Sequence, residues 1–354
     1  MSRAEIIEAA ARFRAQLVAG NNAALREMIR IYGITYQRLY ERWRFVTDQI
    51  QRLRERGLTP SLGLLQSEAR YNDLLQQTQD ELNRFSMQAA EIVRQQQEFG
   101  IQSARQDAQA MTMISLGPRP RRVRYQVKWN RIHTVAVENM VGFLAGGSPL
   151  AYKFAGMSED VVTGIRSTLA FGMAAGQNPR HIARSIRSLF TGHLSNVLTV
   201  CRTECIRVYR LASHENYAAN SHIVRGWIWC CARNARTCAA CWGMDGSFHT
   251  LNETLNDHPN GRCVAIPVTR SWSELESGVD TGSMSIAPWN PETYFRGLSE
   301  EEQQKILGPR KYEMWTAGKI KLADIPSITR SHVWGDGVRI GTISEIMDRA
   351  SRRA

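Results

Sequence analysis

The sequence predicts a mainly α-helical protein that carries one small α+β module, and three observations predict it. Apolar residues recur at steps of three and four from Ala4 to about Met113, with few glycines or prolines between them. The period changes at Ile223–Ala232, read IVRGWIWCCA, where β-branched and aromatic residues run together as they do in strands. Just beyond, cysteines and a histidine recur at knuckle-like spacing. The expected architecture is an N-terminal helical bundle or arm, then a central helical domain ending in a short antiparallel sheet with a candidate zinc knuckle at its turns.

Taken in order, a first helix carries Ile6, Ile7, Ala10, Phe13 and Leu17 on one face and stops at Gly20. Asn22 caps a second, with Leu25, Met28 and Ile29 inside, ending near Gly33. A third holds Tyr36, Leu39, Tyr40, Trp43, Val46, Ile50 and Leu53 and ends at Gly57 and Thr59-Pro60. A fourth starts near Ser61, aligns Leu64, Leu65, Tyr71, Leu74, Leu75, Leu82, Phe85 and Ile92, and runs to Gly100 and beyond. Such stripes are buried either within a bundle or against a partner helix.

Residues 1–115 form the first expected domain, whose helices suit assembly contacts. From 116 to 125 the composition becomes Pro/Arg-rich, with Arg119, Arg121, Arg122 and Arg124 beside two prolines that forbid a helix. Such a basic linker is either solvated or laid along DNA. The expected second domain, 126–270, opens with a helical pattern from Trp129 to Phe143 and a turn at Gly146–Pro149. Ser158 with Glu159 and Asp160 starts a helix through Ala175 that Gly176 closes. Asn178-Pro179 caps and opens the next, with Ile182, Ile186 and Leu189 inward and Arg180, Arg184 and Arg187 outward as candidate nucleic-acid contacts. A further helix begins after Gly192 and reaches about Asn220. Strands follow at 223–232, 246–250 and 262–268. In the last segment, 271–354, a loop extends to Ser285, and a capping box at Ser299–Glu302 starts a helix ended by Gly308-Pro309. Another turn or two, from Tyr312 to Ala317, ends at Gly318. The tail from Ser327 reads as an extended, partner-dependent arm.

With 354 residues and 43% apolar content the chain can bury sizeable cores. A net charge of +12, supplied mostly by arginine, points to a polyanionic partner, either an acidic protein surface or nucleic acid such as double-stranded DNA contacted without sequence preference. The first twenty residues lack the apolar core of a signal peptide, and no run reaches the roughly 18 apolar residues of a membrane helix, so a reducing cytoplasm and no membrane are expected. Seven cysteines in that setting indicate metal binding plus buried thiols.

Cys238 and Cys241 form a Cys-x2-Cys hook, and after sixteen residues His258 and Cys263 form a His-x4-Cys hook. Two such hooks resemble the ligand set of a structural zinc ion, whose four protein ligands leave no open position. The plainer alternatives are buried thiols beside a His-Pro turn, or a redox pair, which would need a following helix in a βαβ unit. A metal-dependent nuclease of the His-based ββα type would need a further histidine on a following helix, and the next one is His332. Arg202 and Glu204 are two apart on a helix and cannot share a face, so they make no acid/base pair. Trp227, Trp229 and Trp242 read as core rather than as a base-stacking platform. No Gly-rich phosphate loop, Ser-His-Asp set or paired carboxylates stand out, and no catalytic residue is assigned.

In order and spacing, several of these residues resemble the phage Mu protein F-like minor head proteins, or phage head morphogenesis proteins. The resemblance is carried by Gly176-Gln177-Asn178-Pro179, Arg202-Thr203-Glu204, Trp227-Ile228-Trp229, Arg236-Thr237-Cys238-Ala239-Ala240-Cys241, Met244-Asp245-Gly246 and His258-Pro259-Asn260-Gly261-Arg262-Cys263. It extends from near Trp129 to Val268. One departure is Gly261, where the family usually has the first cysteine of Cys-Arg-Cys. The resemblance implies a non-enzymatic virion component, present in few copies inside the capsid near the portal, made in the host cytoplasm, and assisting head assembly and DNA packaging or ejection. Portal protein, scaffold or major capsid protein, and packaged DNA are the implied partners, with Arg202, Thr203, Glu204, Asp245 and Gly246 as structural motif residues. The alternatives from other classes are the metal-dependent DNA nuclease and a nucleic-acid-binding regulator outside any virion.

Overall fold

The computed structural model describes residues 3–58, 69–130, 141–144, 147–331 and 335–353. Helix α1 spans Arg3–Glu55 and α2 Ala69–Leu116, with 53 and 48 residues. Three of the four expected N-terminal helices are therefore one: Gly20 and Gly33 are interior to α1, and Asn22 caps nothing. An interior glycine costs about 1 kcal/mol against alanine, too little to interrupt a stripe that stays buried from Ile6 through Met28, Leu39 and Trp43 to Ile50. The expected stop at Gly57 holds, with α1 closing two residues earlier and Gly57 at φ +74°. The start at Ser61, with Thr59-Pro60, Leu64 and Leu65, lies outside the described residues.

Helix α3 spans Leu150–Ala174 and α4 Pro179–Ala219. Ser158 is a buried interior residue of α3, where its hydroxyl donates to Phe154 O at 3.1 Å, so it starts no helix. Gly176 follows the C-terminus as expected, and Asn178 Oδ1 accepts from Arg180 N at 2.9 Å at the start of α4. Gly192 interrupts nothing, since α4 is continuous for 41 residues. Residues 131–140 of the expected Trp129–Phe143 helix lie outside the described residues. Trp129 is in neither helix nor strand, and Phe143 makes an isolated bridge with Pro149.

Strands β1 (Val224–Cys230), β2 (Phe248–Thr250) and β3 (Val264–Thr269) form an antiparallel sheet of order β2-β1-β3. Trp227 pairs with His249 on one side and Pro267 on the other. A one-turn helix α5 (Ala239–Met244) stands between β1 and β2, with Cys238 as its N-cap. The expected loop after Arg270 contains α6 (Trp272–Ser277), started by a Ser271/Glu274 capping box. Helices α7 (Glu292–Phe295), α8 (Glu300–Leu307) and α9 (Pro309–Thr316) follow, and the Ser299 capping box of α8 is present.

The tail is folded rather than extended. Strands β4 (Pro326–Ser331) and β5 (Gly335–Ile340) form a hairpin, and α10 spans Ile343–Arg353. Val338, Ile346 and Ala350 join Trp227, Trp242, Phe295 and Leu322 in one apolar cluster. Asp324, buried, accepts from the Arg353 guanidinium at 2.7 Å, and Arg349 Nε reaches Asp324 O at 2.7 Å.

The chain forms two compact units, each assembled from segments far apart in sequence: 1–20, 97–141 and 203–354 in the first, 21–96 and 142–202 in the second. The division at 115, 125 and 270 remains a segmentation by composition. The first unit holds both sheets; residues of α1, α2 and α4, including Leu17, Ile101 and Val208, pack there with Ile228 and Ile266. In the second unit Tyr32 OH donates to Phe190 O at 2.7 Å and Trp43 Nε1 to Thr78 Oγ1 at 3.0 Å. Among the described residues no helix is long and apolar enough to cross a membrane.

Candidate metal centre

The turn after β1 and the loop before β3 meet because β1 and β3 pair along their length, with Cys230 opposite Val264. That register delivers Cys263, at the foot of β3, beside the end of β1, and α5 turns Cys238 and Cys241 toward it. Cys238 Sγ and Cys241 Sγ lie 3.2 and 3.3 Å from His258 Nε2. Cys238 also accepts from Cys241 N at 3.4 Å, the N-cap bond of α5. Cys238, Cys241 and His258 form one group able to hold a metal ion; Cys241, Asp257 and Cys263 form a second that shares Cys241. The four ligands expected from spacing are thus divided between two overlapping trios, and Asp257 enters as a candidate the spacing did not mark.

The chemistry of the donors suits a soft divalent cation. Cys241 hydrogen-bonds Cys238 and the His258 ring faces it, which together hold the Cys238 thiol down at about 5, against the opposing effect of burial. Cys238 is therefore a thiolate at neutral pH, the form that binds metal. The Cys238 bond raises His258 to about 9, helped by the charge of Asp257, so a cation entering here displaces a proton from the ring. Its other nitrogen, Nδ1, is bonded to Pro259 O at 2.8 Å, which fixes the ring with Nε2 toward the sulfurs. The neighbouring thiolate raises Cys241, and burial raises Cys263. A pocket of about 200 Å³ opens over the cluster, lined also by Thr237, Asn260 and Arg262.

The remaining motif residues are joints. Asp245, buried, accepts from Cys231 N at 2.9 Å, Arg233 Nε at 3.0 Å and Trp289 Nε1 at 2.9 Å. It ties the end of β1 to the turn before β2. Gly246 has φ +87°, and a Cβ there would lie 2.2 Å from Trp289 O, so only glycine fits. Thr203 Oγ1 accepts from Asn260 N at 3.0 Å, docking the His258–Cys263 loop on α4. Glu204 is buried and receives Arg207 Nε at 2.6 Å; Arg202 is half-buried. Trp227, Trp229 and Trp242 are core residues, each 2% exposed or less.

Ser247 Oγ, His249 Nε2, His249 Nδ1 and Glu253 Oε1 form a chain at 2.8 and 3.1 Å. The Ser247 hydroxyl also donates to Met244 O at 2.6 Å. Its single hydrogen is thereby used, and a nucleophilic serine would have to donate to the histidine instead.

The arginines proposed for nucleic acid fall in two places. Arg119, Arg121, Arg122 and Arg124 are exposed on a strap without helix or strand in the first unit, where Val123 N closes a turn on Pro120 O at 3.0 Å. Its Tyr125, Val127 and Trp129 pack against Leu116, Ile223 and Leu275. In the second unit Arg180, Arg184 and Arg187 are exposed and line a polar pocket of about 590 Å³ with Arg44 and Asp48.

Residues 163–266 match the model of a family described as Phage Mu protein F like protein. The matched segment contains every motif on which the resemblance rests. No curated protein and no solved structure matches the chain.

Proposed function

From a chain whose segment 163–266 matches the phage Mu protein F-like family, we propose a structural component of a tailed-phage head. It acts in head morphogenesis inside the capsid near the portal, and its Cys/His cluster is a zinc clasp rather than a reaction centre. The family match supports the phage head part of this reading. The observation that carries the structural part is the use of the motif side chains: Thr203 and Asp245 each bind another part of the same fold, and Glu204 is buried and paired with Arg207 one turn along its own helix. Zinc fits two thiol sulfurs and an imidazole nitrogen held near tetrahedral edge lengths. It would supply folding energy by cross-linking α5 to the loop before β3. The exposed arginines at 119–124 and 180–187 would meet packaged DNA through its phosphates, without reading sequence.

The test is quantitative mass spectrometry of purified, DNA-filled particles of the phage that encodes the chain. A few copies per particle are expected; abundance in the lysate with absence from particles would contradict the reading. Incubating the purified protein with plasmid and Mg2+ or Mn2+ separates it from the nuclease alternative. Intact plasmid is expected, whereas cleavage abolished by His258→Ala in a folded variant would favour the enzyme.

A further inference from the structure

We propose that Asp257, not Cys263, completes the metal centre with Cys238, Cys241 and His258; this rests on the zinc reading above. Ligands of a tetrahedral zinc at about 2.0–2.3 Å lie about 3.5 Å from one another. Asp257 Oδ1 lies 3.3 Å from Cys241 Sγ and 3.6 Å from His258 Nε2. With the two Cys–His distances of 3.2 and 3.3 Å, four edges of the tetrahedron are already near their bound lengths.

The two carboxylate oxygens have different tasks. Oδ2 accepts from Arg210 Nη2 at 2.8 Å and Cys263 N at 3.2 Å, while Oδ1 accepts from His258 N at 2.8 Å and faces the sulfur and the ring. One oxygen is anchored and the other is aimed, as is usual for a ligating carboxylate. Arg210 also donates through Nε to Cys263 O at 2.8 Å, so Cys263 helps to orient Asp257 through its backbone.

Gly261 belongs to the same arrangement. A Cβ at this position would lie 2.1 Å from Asp257 Oδ2 and 2.2 Å from its Cγ. The carboxylate fills the space a side chain at 261 would need, at the position where the resemblance expects a cysteine. Charge favours the same ligand set. The Asp257 side chain is fully buried and that of Arg210 is 7% exposed. Two thiolates, the carboxylate, Arg210 and a dication sum to zero. A third thiolate on Cys263 would leave these groups with one net negative charge, which disfavours it.

Zinc K-edge X-ray absorption of the zinc-loaded full-length protein reads the ligand set without any variant. Two sulfur and two nitrogen or oxygen neighbours are expected; three sulfurs and one nitrogen would overturn the proposal. A folded protein that retains no zinc would remove the zinc reading itself, a different result from a three-sulfur shell. Cobalt substitution gives the second readout. Cys263→Ser should leave the thiolate-to-cobalt band unchanged, and Asp257→Asn should weaken metal binding by more than the roughly 10–100-fold that loss of a group supporting a ligand costs. A band reduced by a third in Cys263→Ser, with Asp257→Asn unchanged, would assign the fourth position to Cys263.

Discussion

Asp245 accepts three donors, two from the turn after β1 and one from Trp289, and its removal leaves the Arg233 charge without its carboxylate. Asp245→Ala should therefore cost about 3–5 kcal/mol in urea unfolding, and Asp245→Asn, which keeps an acceptor for Cys231 N, clearly less. His193 makes a second prediction. It is 3% exposed, stacked on Tyr32 with centroids 5.5 Å apart, and burial depresses it from 6.5 to about 4. Between those values the unfolded chain binds a proton that the folded chain does not. The stability this adds is complete above pH 6.5 and is lost as the pH falls to about 4. The loss should be about 3 kcal/mol in acid titrations of unfolding, and absent in a folded His193→Phe variant. At this scale the sequence marked Cys238, Cys241 and His258, which the fold gathers into a group able to hold a metal, because such hooks are short and local. Asp257 carries no metal-spacing signature, and its bond to Arg210 spans 47 residues.

The strands were legible as elements because β-branched and aromatic residues change the period at Ile223. The long helices run through the glycines that the sequence offers as stops, because an uninterrupted apolar stripe outweighs the small cost of an interior glycine. Gly33 is exposed within α1, and a Cβ there meets nothing within 4 Å. Gly33→Ala should therefore raise stability by about 0.5–1 kcal/mol in thermal or urea unfolding. Helix α6 was missed although Ser271-x-x-Glu274 is a capping box of the same form as the one recognised at Ser299. The tail escaped because its partners are remote: Ile346 is buried in the cluster that holds Trp227, and Arg353 pairs with Asp324. Pattern within a ten-residue window cannot show either contact.

For the molecule as a whole, the surplus of positive charge is concentrated on exposed arginines. On the strap, Arg122, Arg124 and Lys128 are exposed at alternating positions while Val123, Tyr125 and Val127 are half-buried. The proposed DNA contact predicts an affinity that falls steeply with salt. Replacing Arg122 and Arg124 by alanine should reduce the slope of log K against log salt by about 1.8, measured by fluorescence titration with duplex DNA. An unchanged slope would place the contact elsewhere. The strap, the sheet and the folded tail all belong to the unit that contains the Cys/His cluster, and α5, which carries Cys241, packs Trp242 against Phe295 with ring centroids 5.1 Å apart. A metal at this point would fasten α5 to the loop before β3. The most direct test is thermal unfolding of the zinc-loaded protein before and after chelation, followed by near-UV circular dichroism of its buried tryptophans. One zinc per chain is expected, with a loss of more than about 10 °C in Tm and a weakened tryptophan signal on its removal. A metal-free protein with the same Tm and the same tryptophan signal would contradict the account.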